Sequence, residues 1–153
     1  MTLPVVLVSV VLVAMSISGT AVALPSIGRD LDASGSPLHW VVAGYNLAFA
    51  AMTLVAGSAA DRIGRRRVFV AVALVFVAGF LATALSRTII ITDLARIVSG
   101  VGAAGLMAAG SAILASSYAG AARNRAFALM GTMAGVGIAI GPTLSGLSRT
   151  WKK

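Results

Sequence analysis

Five stretches of this chain are each long and apolar enough to cross a bilayer, and nothing else in the sequence limits the fold as much. They cover residues 3–25, 40–60, 68–85, 89–118 and 126–147. A spanning helix needs about 20 mostly apolar residues. Transmembrane barrel strands are half that length and alternate apolar with polar residues. These runs are apolar on every side, so the predicted fold is all-α integral membrane, a single transmembrane region over residues 1–153 with five helices. In lipid an unpaired backbone group costs several kcal/mol, which is why each run must close its own hydrogen bonds as a helix. Composition agrees: 59% of the residues are hydrophobic and 10% charged, against about 25% charged in an ordinary soluble domain. The first run lacks a basic start and exceeds the 7–15-residue apolar core of a signal peptide, so it reads as a helix rather than a leader.

The few charges sit mostly between the runs, and their sign predicts orientation. The chain has 12 Lys and Arg against 4 acids, a formal charge of +8. A basic balance can signal nucleic acid; in so apolar a chain it signals loops at a membrane surface instead. The breaks at 61–67 and 119–125 hold Arg62, Arg65, Arg66, Arg67, Arg123 and Arg125, while those at 26–39 and 86–88 hold Arg29 and Arg87. The positive-inside rule then places the first pair of breaks, and the N-terminus, in the cytoplasm; a cell's inner (plasma) membrane is the expected location. Five crossings leave Arg149, Lys152 and Lys153 outside, against the rule, which points to a chain that is a fragment or a truncated product. Cysteine and glutamate are absent, so no disulfide, thiol chemistry or zinc site is expected. His39, next to Trp40, reads as an interfacial residue. No enzyme activity, cofactor or metal is expected.

Inside the runs, two features break the apolar pattern. Arg96 lies about two turns into the fourth run, where a charge costs from about 2.5 to over 10 kcal/mol and must face protein or water. Asp93 is three residues earlier on the same helical face, leaving two readings: a local ion pair at the interface, or a proton-coupling or substrate-gating arginine. The second feature is glycine. The fifth run carries Gly131, Gly135, Gly137, Gly141 and Gly146, with Pro142 after Gly141. Four-residue glycine spacing permits close helix approach, and proline removes a helix hydrogen bond. Gly100, Gly102 and Gly105 spell a dinucleotide-like pattern, yet they sit within a spanning run with no acid after Asp93, so nucleotide binding is not expected.

The break Gly57-Ser-Ala-Ala-Asp61-Arg62-Ile-Gly64-Arg65-Arg66-Arg67 resembles the loop signature between the second and third helices of the major facilitator superfamily. Gly64 suits a tight turn. Asp61 sits at a helix C-terminus, where the helix dipole disfavours an acid. Three further segments resemble the family in order. Ala23-Leu24-Pro25, followed by Trp40 and Tyr45, resembles the first two helices of its fourteen-helix drug:proton antiporter branch. Leu94-Ala-Arg96 through Ala104 resembles its fourth-helix motif, and Gly131 through Gly146 its fifth-helix antiporter motif. The resemblance implies a multidrug exporter that trades protons for an amphipathic drug or metabolite by alternating access. It implies a cytoplasmic gate at Gly57, Asp61, Arg62, Gly64, Arg65 and Arg66, proton coupling through Arg96, and a helix-5 interface at Gly131, Gly135, Gly137, Gly141, Pro142 and Gly146.

The departures are specific. The family's helix-1 Asp matches Ser16 and its Asn matches Ala21. Its fourth-helix Gln matches Ser99 and its later Pro matches Ala108. The double Gly ending the fifth-helix motif is Ser145-Gly146. Family members have twelve or fourteen helices in two halves, so five helices make an incomplete N-terminal half. The expected partners are lipid, a small-molecule substrate, protons, and the remaining helices or a partner chain. The other readings are a non-transporting membrane subunit or relic, or a short chain acting only as a self-associated oligomer.

Overall fold

The computed structural model describes residues 2–32 and 34–150, with side chains described to residue 143 apart from Thr2 and Asp30. It contains five helices: α1 Thr2–Asp30, α2 Ser36–Ile63, α3 Arg65–Leu85, α4 Ile89–Ser117 and α5 Gly120–Thr150. Each is long and apolar enough to cross a membrane. Several run past the apolar stretches that reveal them. The 28 residues of α2 extend about 42 Å at 1.5 Å per residue, more than the roughly 30 Å of hydrocarbon. Apolarity marks only the part of a helix that lies in lipid. The hydrogen-bond ladder continues into the interface until a residue stops it.

The stops are local. Between α2 and α3 only Gly64 is non-helical, at φ 111°, and its N–H donates to Ala60 O at 3.2 Å. That φ is open to glycine and strained for any residue with a Cβ. The expected seven-residue break at 61–67 is therefore a one-residue hinge point between two long helices. Thr88 caps α4, its hydroxyl accepting from Ile91 N at 3.4 Å, as N-cap residues do. Pro37 opens α2, where a missing N–H costs nothing. Gly120, at φ 53°, starts α5.

Packing divides the bundle. α4 lies against α2 on one side and α3 on the other, while α1 pairs with α5, and the two groups meet through thinner contacts. The buried cluster draws Val6, Val10 and Val13 from α1, Tyr45 from α2, Phe69 and Phe76 from α3, and Leu106 and Leu114 from α4. Large apolar side chains such as Leu47, Leu54 and Leu74 point outward, Leu54 with 84% exposure, as a lipid-facing surface requires. Hydroxyls within the spans are tied down locally: Ser9 donates to Val5 O, Thr20 to Ser16 O, Thr53 to Phe49 O and Thr83 to Gly79 O. Such back-bonding satisfies a polar group that lipid cannot.

The glycines of α4 make its central position possible. A Cβ on Gly102 would lie 2.5 Å from Phe76 N of α3, and one on Gly100 or Gly105 would collide with Tyr45 O of α2 or Val72 of α3. The dinucleotide-like spacing is thus a two-sided packing surface inside a helix.

Candidate functional site

The most deeply buried charge is Arg96, 2% exposed, near the middle of the three-helix contact of α1, α2 and α4. Its Nε donates to Val41 O at 3.3 Å, and its Nη1 donates to Ser16 Oγ at 2.8 Å. The guanidinium carbon lies 4.1 Å from the centroid of the Tyr45 ring, within the range of a cation–π contact. The local ion pair with Asp93 is not formed. The only ion pair among the described residues lies elsewhere, and Asp93 Oδ1 is enclosed without a hydrogen-bond partner. Helical spacing puts the two residues on one face, but the long arginine side chain reaches inward to a carbonyl and a hydroxyl on neighbouring helices. Ser16, Tyr45 and Val41 O are the functional neighbours that sequence reasoning missed. Ser16 stood out only as a departure from a resembling motif, and nothing local to residue 41 signals that its carbonyl receives a guanidinium.

The second cluster surrounds Gly64. Asp61 and Arg65, on either side of it, form an exposed ion pair of 3.2 Å. Arg65 Nη1 also donates to Ala112 O of α4 at 3.0 Å, so one side chain ties the α2–α3 corner to the last turns of α4. An exposed pair like this contributes about 0–1 kcal/mol; the contact with α4 is what gives it positional meaning. Arg62, Arg66 and Arg67 are exposed and form no ion pair among the described residues. Nothing lies within 4 Å of a Cβ placed on Gly57 or Gly64, so Gly64 is required by its φ and not by crowding.

The third group, on α5, divides in two. A Cβ on Gly137 would lie 2.7 Å from Ala14 Cβ and 2.7 Å from Val11 O, and one on Gly141 would strike Ser18 Oγ, so both serve the seam with α1. Ser18 Oγ donates across that seam towards Gly137 O at 3.5 Å. Gly131 and Gly135 meet nothing within 4 Å. The four-residue spacing that suggested two close-approach faces yields one within this chain. Pro142 lies inside α5. The surroundings of Ser145 and Gly146, like the tail with Arg149, Lys152 and Lys153, fall outside the described side chains. A groove of about 390 Å³ runs between α1 and α3, with Ser16 and Thr20 in its otherwise largely apolar wall and Gly141 of α5 at its edge.

The structure thus brings together a buried guanidinium among spanning helices, an acid–arginine corner at a one-residue helix junction and a glycine seam. A family model, the Major Facilitator Superfamily, matches residues 6–150. The chain belongs to the Major Facilitator Superfamily. It is therefore a multi-pass membrane protein of a transporter family, not an enzyme. It is 35% identical over 146 residues to a puromycin resistance protein of Streptomyces alboniger, an alignment covering 95% of this chain and 29% of that protein. It is 37% identical over 128 residues to a drug efflux pump of Mycobacterium tuberculosis, covering 82% of this chain and 25% of the pump. A cephamycin export protein of Amycolatopsis lactamdurans is 39% identical over 137 residues, 89% of this chain and 28% of that protein. The chain thus spans under a third of the length of these superfamily relatives.

Proposed function

We propose that this chain supplies the first five helices of an alternating-access exporter that moves drugs or amphipathic metabolites outward in exchange for protons. The supporting observation is that relatives aligned over most of the chain are named for resistance, efflux and export. Further helices, from a longer polypeptide or a partner chain, complete the substrate path, because a superfamily transporter works by rocking one half against the other. In this reading the Asp61–Arg65 pair latches the cytoplasmic gate, with Gly57 and Gly64 shaping it and Arg62 and Arg66 at its surface. Arg96 links protonation to binding. The α5 residues Gly131, Gly135, Gly137, Gly141, Pro142 and Gly146 form the moving interface.

The reading places the chain in the inner (plasma) membrane with its N-terminus in the cytoplasm. Since the chain has no native cysteine, Ser36→Cys is expected to label from outside the cell and Ala122→Cys only after permeabilisation. The reverse pattern overturns the orientation. The transport reading is tested in vesicles containing the chain within its complete assembly, with and without a pH gradient. Drug movement that follows the gradient supports proton-coupled export; gradient-independent movement removes the proton. In the same assay Asp61→Asn is expected to lower transport per inserted molecule severalfold. Unchanged transport makes Asp61 an ordinary acid of the last turn of α2.

A further inference from the structure

The Arg96 cluster holds more hydrogen-bond donors than acceptors, and its charge rests on the Tyr45 ring with no carboxylate partner among the described residues. Arginine offers five N–H donors and no acceptor. Two of them are used, on Val41 O and Ser16 Oγ, and Nη2 donates to none of the described residues. Tyr45, 0% exposed, has an enclosed hydroxyl with no hydrogen bond of acceptable geometry, although Ser16 is its polar neighbour. Ser16, 5% exposed, accepts from Arg96, and its own proton faces either the Tyr45 hydroxyl or a ligand. All three side chains are more than nine-tenths buried. No carboxylate lies within ion-pair distance of the guanidinium among the described residues. Burying a charge without a counter-charge is strongly unfavourable, and an arginine flanked by hydroxyl donors is the arrangement that binds an anion.

We propose that Arg96, Ser16 and Tyr45 form a binding site for a single small monovalent anion, a halide or the carboxylate of a bound solute. Ser16 connects the cluster to a groove that Arg96 and Tyr45 do not themselves line. Ser16 both receives Arg96 and lines the groove between α1 and α3, which continues past Thr20 to Ile27 and Thr83 near the ends of those helices. From residue 16 to residue 27 the path is about 16 Å at 1.5 Å per residue. Asp93, one turn from Arg96 toward the same end of the bundle, is the competing acid. Its enclosed, unpartnered Oδ1 leaves the Arg96 charge to the ligand.

The inference stands apart from the export reading, because it is tested by equilibrium binding. The full chain in detergent is melted at constant ionic strength while a bulky sulfonate salt is replaced stepwise by chloride or, separately, by formate. An anion that binds only the folded chain raises Tm with its concentration. The expected result is a saturable rise with a half-effect at millimolar concentration. Rise with chloride alone assigns a halide, and a stronger rise with formate assigns a carboxylate. Ser16→Asp, which supplies an internal carboxylate where Nη1 already donates, should weaken the anion dependence at least tenfold. Asp93→Asn should retain or strengthen it. Equal Tm in all three salts overturns the proposal. So does a full anion effect in Ser16→Asp, or an effect that appears only in Asp93→Asn, which would make Asp93 the native counter-charge.

Discussion

α4 and α5 have nearly the same length, 29 and 31 residues, and both are rich in glycine, yet the fold uses them in opposite ways. Of the most apolar part of α4, 56% is buried inside the chain; for α5 the share is 22%. Each glycine at 100, 102 and 105 is spent on a neighbour's backbone or side chain, whereas Gly131 and Gly135 face nothing. Without a hydrophobic driving force between helices in lipid, close backbone approach is what holds them together. α4 is therefore the fixed hub of the chain, and α5 is attached along one seam to α1 with its other glycine face open. The charge follows the same division: Arg96 is buried where the hub meets α1, while Arg123 and Arg125 at the start of α5 are exposed.

The sharpest way to break this contrast is Gly102→Leu. Overpacking usually costs about 1–3 kcal/mol, and here the obstacle is the Phe76 backbone, 2.5 Å from the new Cβ, which cannot rotate away. Monodisperse folded protein on size exclusion should be largely lost. Retention of a normal melting curve would mean that α3 and α4 can separate freely, and α4 would not be a hub. Next in size is Arg96→Lys in the transport-competent assembly. A lysine keeps the charge but has one nitrogen in place of the planar fork, so it cannot serve Val41 O and Ser16 Oγ in the same geometry. Efflux normalised to insertion should fall at least tenfold. Near-normal efflux would reduce Arg96 to a buried packing charge. The smallest effect is expected from Gly131→Ala, whose new methyl group enters open space. Its melting temperature should match the parent, a difference within about 0.5 kcal/mol, while efflux should fall if that face meets other helices in the assembly. A clear loss of stability in the isolated chain would show α5 already occupied there.

How much of this was readable depends on whether the information is local. The five spans, the junction at Gly64 and the depth of Arg96 follow from short windows, because hydropathy and backbone freedom are properties of neighbouring residues. The helix ends at Asp30 and Ile63 were less legible, since polar residues continue a helix outside lipid as readily as they end one. The candidate site was legible in part. Asp61 and Arg65 are four residues apart and their pairing is a helical-spacing contact, but the reach of Arg65 to Ala112 spans 47 residues and leaves no local trace.

That this chain crosses a membrane as helices follows from its residues alone, because apolar length and the cost of unpaired backbone in lipid allow little else. The residues alone also require Arg96 to face protein or water, because lipid cannot hold a charge. Which groups it faces depends on how the helices pack. Ser16, 80 residues away, receives Nη1, and Asp93, three residues away, does not. Likewise glycine spacing left Gly131 and Gly137 indistinguishable, and only the placement of α1 beside α5 decided that one is packed and the other open. The reason is common to both. Lipid exposure is set residue by residue, whereas partners are set by which helices lie side by side, and that depends on close packing along the whole chain.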